Sequence, residues 1–163
     1  MDQLDAKPQD SRVIPPHSTA QASVDDKGRL KLPAEFTEYL EKCGVAKVFI
    51  TTVDLRTVRL YPLSLWQLNE NLFDEAGEDS GRAERLARFA RHFGGDAEID
   101  KSGRVLLPAL LRQEMGLEKQ AVVVEAHRGR LNVISKKLHD EDIQASKASL
   151  AEDLKALEKR GFK

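Results

Sequence analysis

Two arginines, Arg29 and Arg104, each follow directly on a glycine that ends an aspartate-led turn, in DDKGRLKLPA (25–34) and DKSGRVLLPA (100–109). A guanidinium is planar, always charged and carries five N–H donors. That fork fits phosphate oxygens, the major-groove edge of guanine, or a nearby carboxylate. At the root of a stiff hairpin tip the group therefore either contacts nucleic acid or pairs with a local acid. Lys27 and Lys101 lie within the turns, and Lys31 stands two residues beyond Arg29, as further phosphate-binding candidates. Aspartate first and glycine fourth is the pattern of a type I turn opening a bulged hairpin. There the carboxylate accepts local amide hydrogens and glycine takes a left-handed backbone. Asp25, Gly28, Asp100 and Gly103 are thus explained as turn-shaping residues.

Other chemistry finds little support. The four histidines, His17, His92, His127 and His139, stand at no metal-ligand spacing with one another or with Cys43. No glycine-rich phosphate loop or nucleophile elbow occurs. No catalytic residue, metal site, cofactor or small-molecule substrate is expected, and the chain does not read as an enzyme. Cys43, the single cysteine, can form no intramolecular disulfide and is expected as a small buried hydrophobe near a helix end.

The 163 residues have a formal charge of −1, so there is no overall cationic field, and any contact with nucleic acid must come from local basic patches. No uninterrupted apolar run is long enough to cross a membrane. The N-terminus lacks the basic start and apolar stretch of a secretory signal. The expectation is a soluble, cytoplasmic protein.

The elements that must hold the arginines come in two matching sets. In each, a strand leads through the turn to a second strand (Arg29–Leu32, Arg104–Leu107), and a proline, Pro33 or Pro108, opens a helix. Gly44 or Gly116 then stops that helix, and a β-branched hairpin follows, VFITTV/TVRLYP or AVVVEA/RLNVIS. Each half is too small to close a core alone, so the two are expected to bury their apolar faces against each other. Between them, LSLWQLNENLFDE (63–75) places Leu65, Trp66, Leu68 and Leu72 near one helical face, and RAERLARFARHF (82–93) does the same with Leu86, Phe89, Ala90 and Phe93. The far side of the second helix carries Arg82, Arg85, Arg88 and Arg91, either a solvated face or a contact for phosphate or a neighbouring subunit. Beyond residue 137 the chain reads as one or two charged helices, with Leu150, Leu154 and Leu157 in a stripe that packs on the body or on another subunit.

Two copies of D-x-x-G-R-h-x-h-P-A (h apolar), together with LYPLSLW (60–66), residues 85–124 and LNVIS (131–135), resemble the MraZ family over roughly residues 18–140. These are bacterial regulators of the division and cell-wall gene cluster, within the AbrB/SpoVT swapped-hairpin superfamily. The resemblance implies an α+β fold in which two tandem hairpin/helix repeats form a pseudo-two-fold swapped-hairpin β-barrel core. With the polar, proline-bearing start read as a disordered arm over 1–17, it implies the divisions 18–66 first repeat, 67–95 helical insert, 96–138 second repeat and 139–163 helical tail. It also implies DNA contact through Arg29 and Arg104, a ring-like homo-oligomer, and double-stranded promoter DNA with closely spaced direct repeats as partner, with repression as the outcome. The N-terminal arm is longer and richer in proline than the family pattern. An antitoxin-like DNA-binding and interaction module is the alternative, since swapped-hairpin domains also serve as antitoxin halves.

Overall fold

Among the described residues, eight short strands and six α-helices follow one another as the two-set reading expects. The computed structural model describes residues 13–163, so most of the expected arm, residues 1–12, lies outside the described residues. The first half contains β1 (Ala20–Ser23), β2 (Arg29–Lys31), α1 (Ala34–Lys42), β3 (Lys47–Thr51) and β4 (Thr57–Pro62). Next come α2 (Leu63–Asp74), a 3₁₀ turn (Gly77–Asp79) and α3 (Ser80–Phe93). The second half contains β5 (Gly95–Glu98), β6 (Arg104–Leu106), α4 (Ala109–Met115), β7 (Ala121–His127) and β8 (Arg130–Ser135), and α5 (Lys136–Ser146) and α6 (Leu150–Glu158) close the chain. Pro33 and Pro108 stand one residue outside their helices, as extended N-caps with ψ of 148° and 140°. Gly116 ends α4 at φ 62°, a left-handed cap that needs no Cβ.

The strands pair across the halves. β1 runs antiparallel to β7 and β5 antiparallel to β3, so the first strand of each half lies on the hairpin of the other. The six-stranded sheet has the order β1-β7-β8-β4-β3-β5, which reads the same from either end when β1–β4 are exchanged for β5–β8. β2 and β6 form a separate antiparallel ribbon in which Leu30 pairs with its own counterpart, Val105. The expected closed barrel is not formed by strand pairing: among the described residues β1 and β5, at the ends of the sheet, do not pair with each other. The physical reason is the short ribbon. A single bridge, Val24 to Leu30, joins it to the sheet, so the ribbon covers the sheet with side chains instead of extending its ladder.

Alternation along the strands decides what is buried. Leu30, Leu32 and Phe36 from the first half meet Val105, Leu107 and Leu111 from the second over Val58, Leu60, Leu131 and Val133, in one shared core. The opposite face of the sheet carries Phe49 and Tyr61, which pack with Trp66 and Ala90 of the helical insert. Here the sequence reading needs correction. Leu68 and Leu72 are exposed, at 62% and 64%, and Leu86 at 40%, while Trp66 and Ala87, Ala90 and Phe93 are buried. Trp66 sets the rotation of α2 because its ring stacks at 4.6 Å from Phe49 and 4.9 Å from Tyr61, and Phe73 follows two turns later at 6.1 Å. The leucine stripe of α6 is also exposed, Leu150 at 62%, Leu154 at 43% and Leu157 at 49%, so it does not pack on the body of its own chain. Cys43 is half-buried.

α3 enters β5 through Gly94. A Cβ there would stand 2.5 Å from the Ala90 carbonyl oxygen and 2.8 Å from Cε1 of Phe49. Both neighbours are fixed, one as backbone and one by its ring packing, so Gly94→Ala overpacks the junction. The expected loss is about 1–3 kcal/mol of stability, read as a lower urea midpoint with unchanged slope.

Candidate nucleic-acid interface

Each turn is built by its aspartate. Asp25 Oδ1 accepts from the backbone N–H of Lys27 and of Arg29, both at 2.9 Å, and Gly28 N–H donates to the Asp25 carbonyl at 3.1 Å. Asp100 Oδ1 does the same for Ser102 and Arg104 at 2.9 Å, and also accepts from the Ser102 hydroxyl at 2.8 Å. Gly28 and Gly103 take φ of 83° and 81°, a backbone that a side chain would strain.

The geometry sets the pH window of the turns. The amide of Arg29, above all, holds the Asp25 carboxyl below its usual range, and the amide of Arg104 does so for Asp100. A carboxyl whose folded value is depressed stabilises the turn above its unfolded value, near about 3.9, and that contribution is lost as pH falls through the lower folded value. The turns are therefore expected intact across the neutral range. Amide shifts of Arg29 and Arg104 followed by NMR should show midpoints below the ordinary aspartate value; midpoints at or above it would contradict the turn geometry.

From these turns the ribbon presents one outward face. Leu30 and Val105 point into the core, and Arg29 stands opposite Leu106 while Lys31 stands opposite Arg104. Directly opposed residues in an antiparallel pair share a face, and diagonal neighbours are about 7–8 Å apart. Arg29 and Arg104 are such a diagonal pair, so the two tips of one subunit make a single patch. The tips also interlock: Leu107 N–H donates to the Gly28 carbonyl at 3.0 Å, and Leu32 N–H to the Gly103 carbonyl at 2.9 Å. Lys31 Nζ donates to the Ser102 carbonyl, while Lys27 and Lys101 are exposed on the two turns.

Both arginines are held at rest, and differently. Arg29 Nε pairs with Asp25 Oδ2 at 3.0 Å, with the arginine side chain 43% exposed, which is the carboxylate pairing the sequence left open. Only one of its five donors, Nε, is used in that bond. Exposed ion pairs of this kind contribute little and are easily exchanged for a phosphate. Arg104 instead donates from Nη1 to the Ser102 hydroxyl at 2.8 Å.

One charged residue of the site was not found from sequence. Arg112 of α4 donates from Nε to the Leu107 carbonyl at 3.0 Å, pairs through Nη1 with Glu118 at 2.6 Å, and lays its guanidinium against Gly28. Its sequence signal was only a basic residue in a helix otherwise read for its apolar face. On the far side of the sheet Arg130 donates from Nε to Asn132 Oδ1, and Arg59 donates from Nη1 to the Tyr61 hydroxyl while its buried Nε has no hydrogen-bond partner among the described residues.

Residues 95–161 match the family model described as "MraZ protein, putative antitoxin-like". Over 139 residues the chain is 30% identical to a protein of Acidobacterium capsulatum named Transcriptional regulator MraZ, a match spanning 85% of this chain and 94% of that one. The chain belongs to the MraZ family. Two further MraZ relatives of the same printed name agree. The protein of Marinomonas sp. strain MWYL1 is 38% identical over 105 residues, 64% of this chain and 70% of its own. That of Thermomicrobium roseum is 40% identical over 107 residues, 64% and 71%. The family model covers the second half and the C-terminal helices, and the Acidobacterium match extends the likeness into the first half.

Proposed function

We propose that this MraZ protein is a sequence-specific DNA-binding transcriptional regulator, a repressor that acts as a ring-like homo-oligomer on closely spaced direct repeats upstream of its own operon in the division and cell-wall cluster. The observation that carries the reading is the outward ribbon face, where Arg29, Lys31 and Arg104 stand together on a rigid two-stranded support. Arg29 and Arg104 contact bases or phosphates, and Lys27, Lys31 and Lys101 add backbone contacts. One such patch is small, so a single subunit binds weakly. Copies linked in a ring convert later contacts into intramolecular events, and spaced repeats in the DNA match the spacing of adjacent patches.

In this reading the cross-paired strands are a swapped-hairpin core with a pseudo-two-fold axis between Leu30 and Val105. Residues 18–66 and 96–138 are the two repeats, 67–95 the insert and 139–163 the tail. Among the described residues no helix is long and apolar enough to cross a membrane, in keeping with a cytoplasmic site of action at the nucleoid.

The test is a fluorescence anisotropy titration with duplexes that carry one, two or three upstream repeats, at several salt concentrations. Affinity should rise steeply with repeat number and fall with salt. Equal affinity for a scrambled duplex would overturn the reading. The antitoxin-like alternative predicts instead a small protein that co-purifies in fixed ratio and changes DNA affinity.

A further inference from the structure

One face of the sheet fills the shared core with Val58, Leu60, Leu131 and Val133. Alternation turns their neighbours Arg59, Tyr61, Arg130 and Asn132 to the other face, with the core between them and the ribbon. There Arg59 of β4 stands directly opposite Asn132 of β8, and Asn132 stands opposite Glu125 of β7. Two guanidinium groups are fastened around one tyrosine. Arg59 Nη1 donates to the Tyr61 hydroxyl at 2.9 Å, and Cζ of Arg130 lies 5.7 Å from the centre of the Tyr61 ring. Arg130 Nε donates to Asn132 Oδ1 at 3.0 Å, which fixes the stem and leaves both terminal nitrogens without a partner among the described residues. Arg128, in the turn between β7 and β8, is exposed and near enough for its charge to act on Arg130.

These three arginines lack the acid that ordinarily neutralises such a group. No carboxylate of the described residues is within ion-pair distance of Arg59, Arg128 or Arg130. Two acids feel their charge, and both are engaged elsewhere. Glu125 accepts from the Asn132 amide at 3.4 Å, and Asp54 Oδ1 accepts from the backbone N–H of Arg56 and of Thr57, both at 2.9 Å. Desolvation sharpens the imbalance. Arg59 Nε is buried with no hydrogen-bond partner among the described residues, so this guanidinium has left water on its inner edge. Burial, followed by the charges of Arg59 and Arg128, lowers the pKa of Arg130. Partly buried like charges repel one another, and an anion placed among them removes that cost.

We propose that Arg59, Arg128 and Arg130 form a phosphate-binding site on the outer face of the sheet, and that its ligand is a small phosphate monoester. The number of donors selects phosphate. One guanidinium fork satisfies a carboxylate, which has two oxygens and a single charge. A phosphate monoester carries close to two charges and three strong acceptor oxygens, which three arginines can share. The position selects a small ligand. The core separates this face from the ribbon, so a duplex held on the ribbon of the same subunit does not bring its phosphates here. Tyr61, which packs on Trp66 at 4.9 Å, makes the floor rigid, so the ligand meets donors already in place.

Calorimetric titration of the full chain with inorganic phosphate and with glycerol phosphate, at constant ionic strength, reads the site directly. Both should bind, and both should raise the melting temperature as their concentration passes the Kd. Arg130→Gln should weaken either ligand at least about tenfold, the value of lost charge-assisted hydrogen bonds. Arg128→Gln changes an exposed turn residue and guards against a folding defect. It should weaken binding as well, yet melt no lower than the wild type without ligand, because one of three like charges has gone. An arginine kept only for structure would lower that temperature. No heat with either probe, an equal response to acetate, or wild-type affinity in folded Arg130→Gln or Arg128→Gln overturns the site. If the Arg29→Ala, Arg104→Ala double variant still binds a duplex, and inorganic phosphate displaces it only while Arg130 is present, the site takes DNA phosphates and the small-ester assignment falls.

Discussion

Arg29→Ala and Arg104→Ala are each expected to lower the affinity for an upstream duplex by roughly 5- to 150-fold per engaged subunit, the value of one good guanidinium contact of about 1–3 kcal/mol. The two losses are not independent. Arg29 and Arg104 are diagonal neighbours on one ribbon face, so they address one short stretch of DNA, and the double variant should fall short of the product of the singles. The turns themselves survive. Asp25 and Asp100 shape them through the backbone N–H groups of residues 29 and 104, which alanine keeps, so circular dichroism and melting temperature stay unchanged. Where an arginine contacts phosphate, the slope of log affinity against log salt drops by about 0.9 for each contact removed. Where it reads a base, the slope holds and discrimination between duplexes falls instead. Lys147→Ala, an exposed change far along the chain from the ribbon, is the control and should alter neither. Normal DNA binding by both arginine variants would leave the ribbon without the role assigned to it.

The turn chemistry, the strand–helix–hairpin order and the shared core were legible from residue types alone, because each rests on local preference or on period. Asp-x-x-Gly writes a bulged turn wherever it occurs, and alternation marks Leu30 and Leu32 as inward without any knowledge of what they meet. The pairing of β2 with β6 was not legible. It joins residues 73 to 77 positions apart, and period tells which face of a strand is buried, not which strand lies beside it. For that reason the placing of Arg29 and Arg104 on one ribbon face could not be read from the sequence. Leu68 and Leu72 show the same limit in a helix. Their spacing fits a buried stripe, yet Trp66 docks against Phe49 and Tyr61, and the larger ring decides the rotation. Arg112 was missed because its meaning depends on Gly28, in the other half, having no side chain.

Leu30→Ala is expected to cost more stability than any surface change in the ribbon, and its comparison with Leu106→Ala tests how the ribbon is held. Leu30 is fully buried at the centre of the ribbon, opposite Val105, and its side chain belongs to the core shared by both halves. Truncating such a leucine removes transfer free energy and leaves a void, a loss of about 2–5 kcal/mol out of the roughly 5–15 that hold a typical domain. For a chain of this size that corresponds to a fall of several degrees or more in melting temperature. Leu106 is as large, two register steps from the same turn, yet 54% exposed on the outward face opposite Arg29. Its truncation should change stability by no more than about 0.5 kcal/mol. Both must be measured at one protein concentration, because assembly adds to apparent stability by mass action. If the two variants melt together, the ribbon is not seated on the sheet as described. If only Leu30→Ala falls, the face that carries Arg29 and Arg104 is held rigid from beneath by a single row of core side chains.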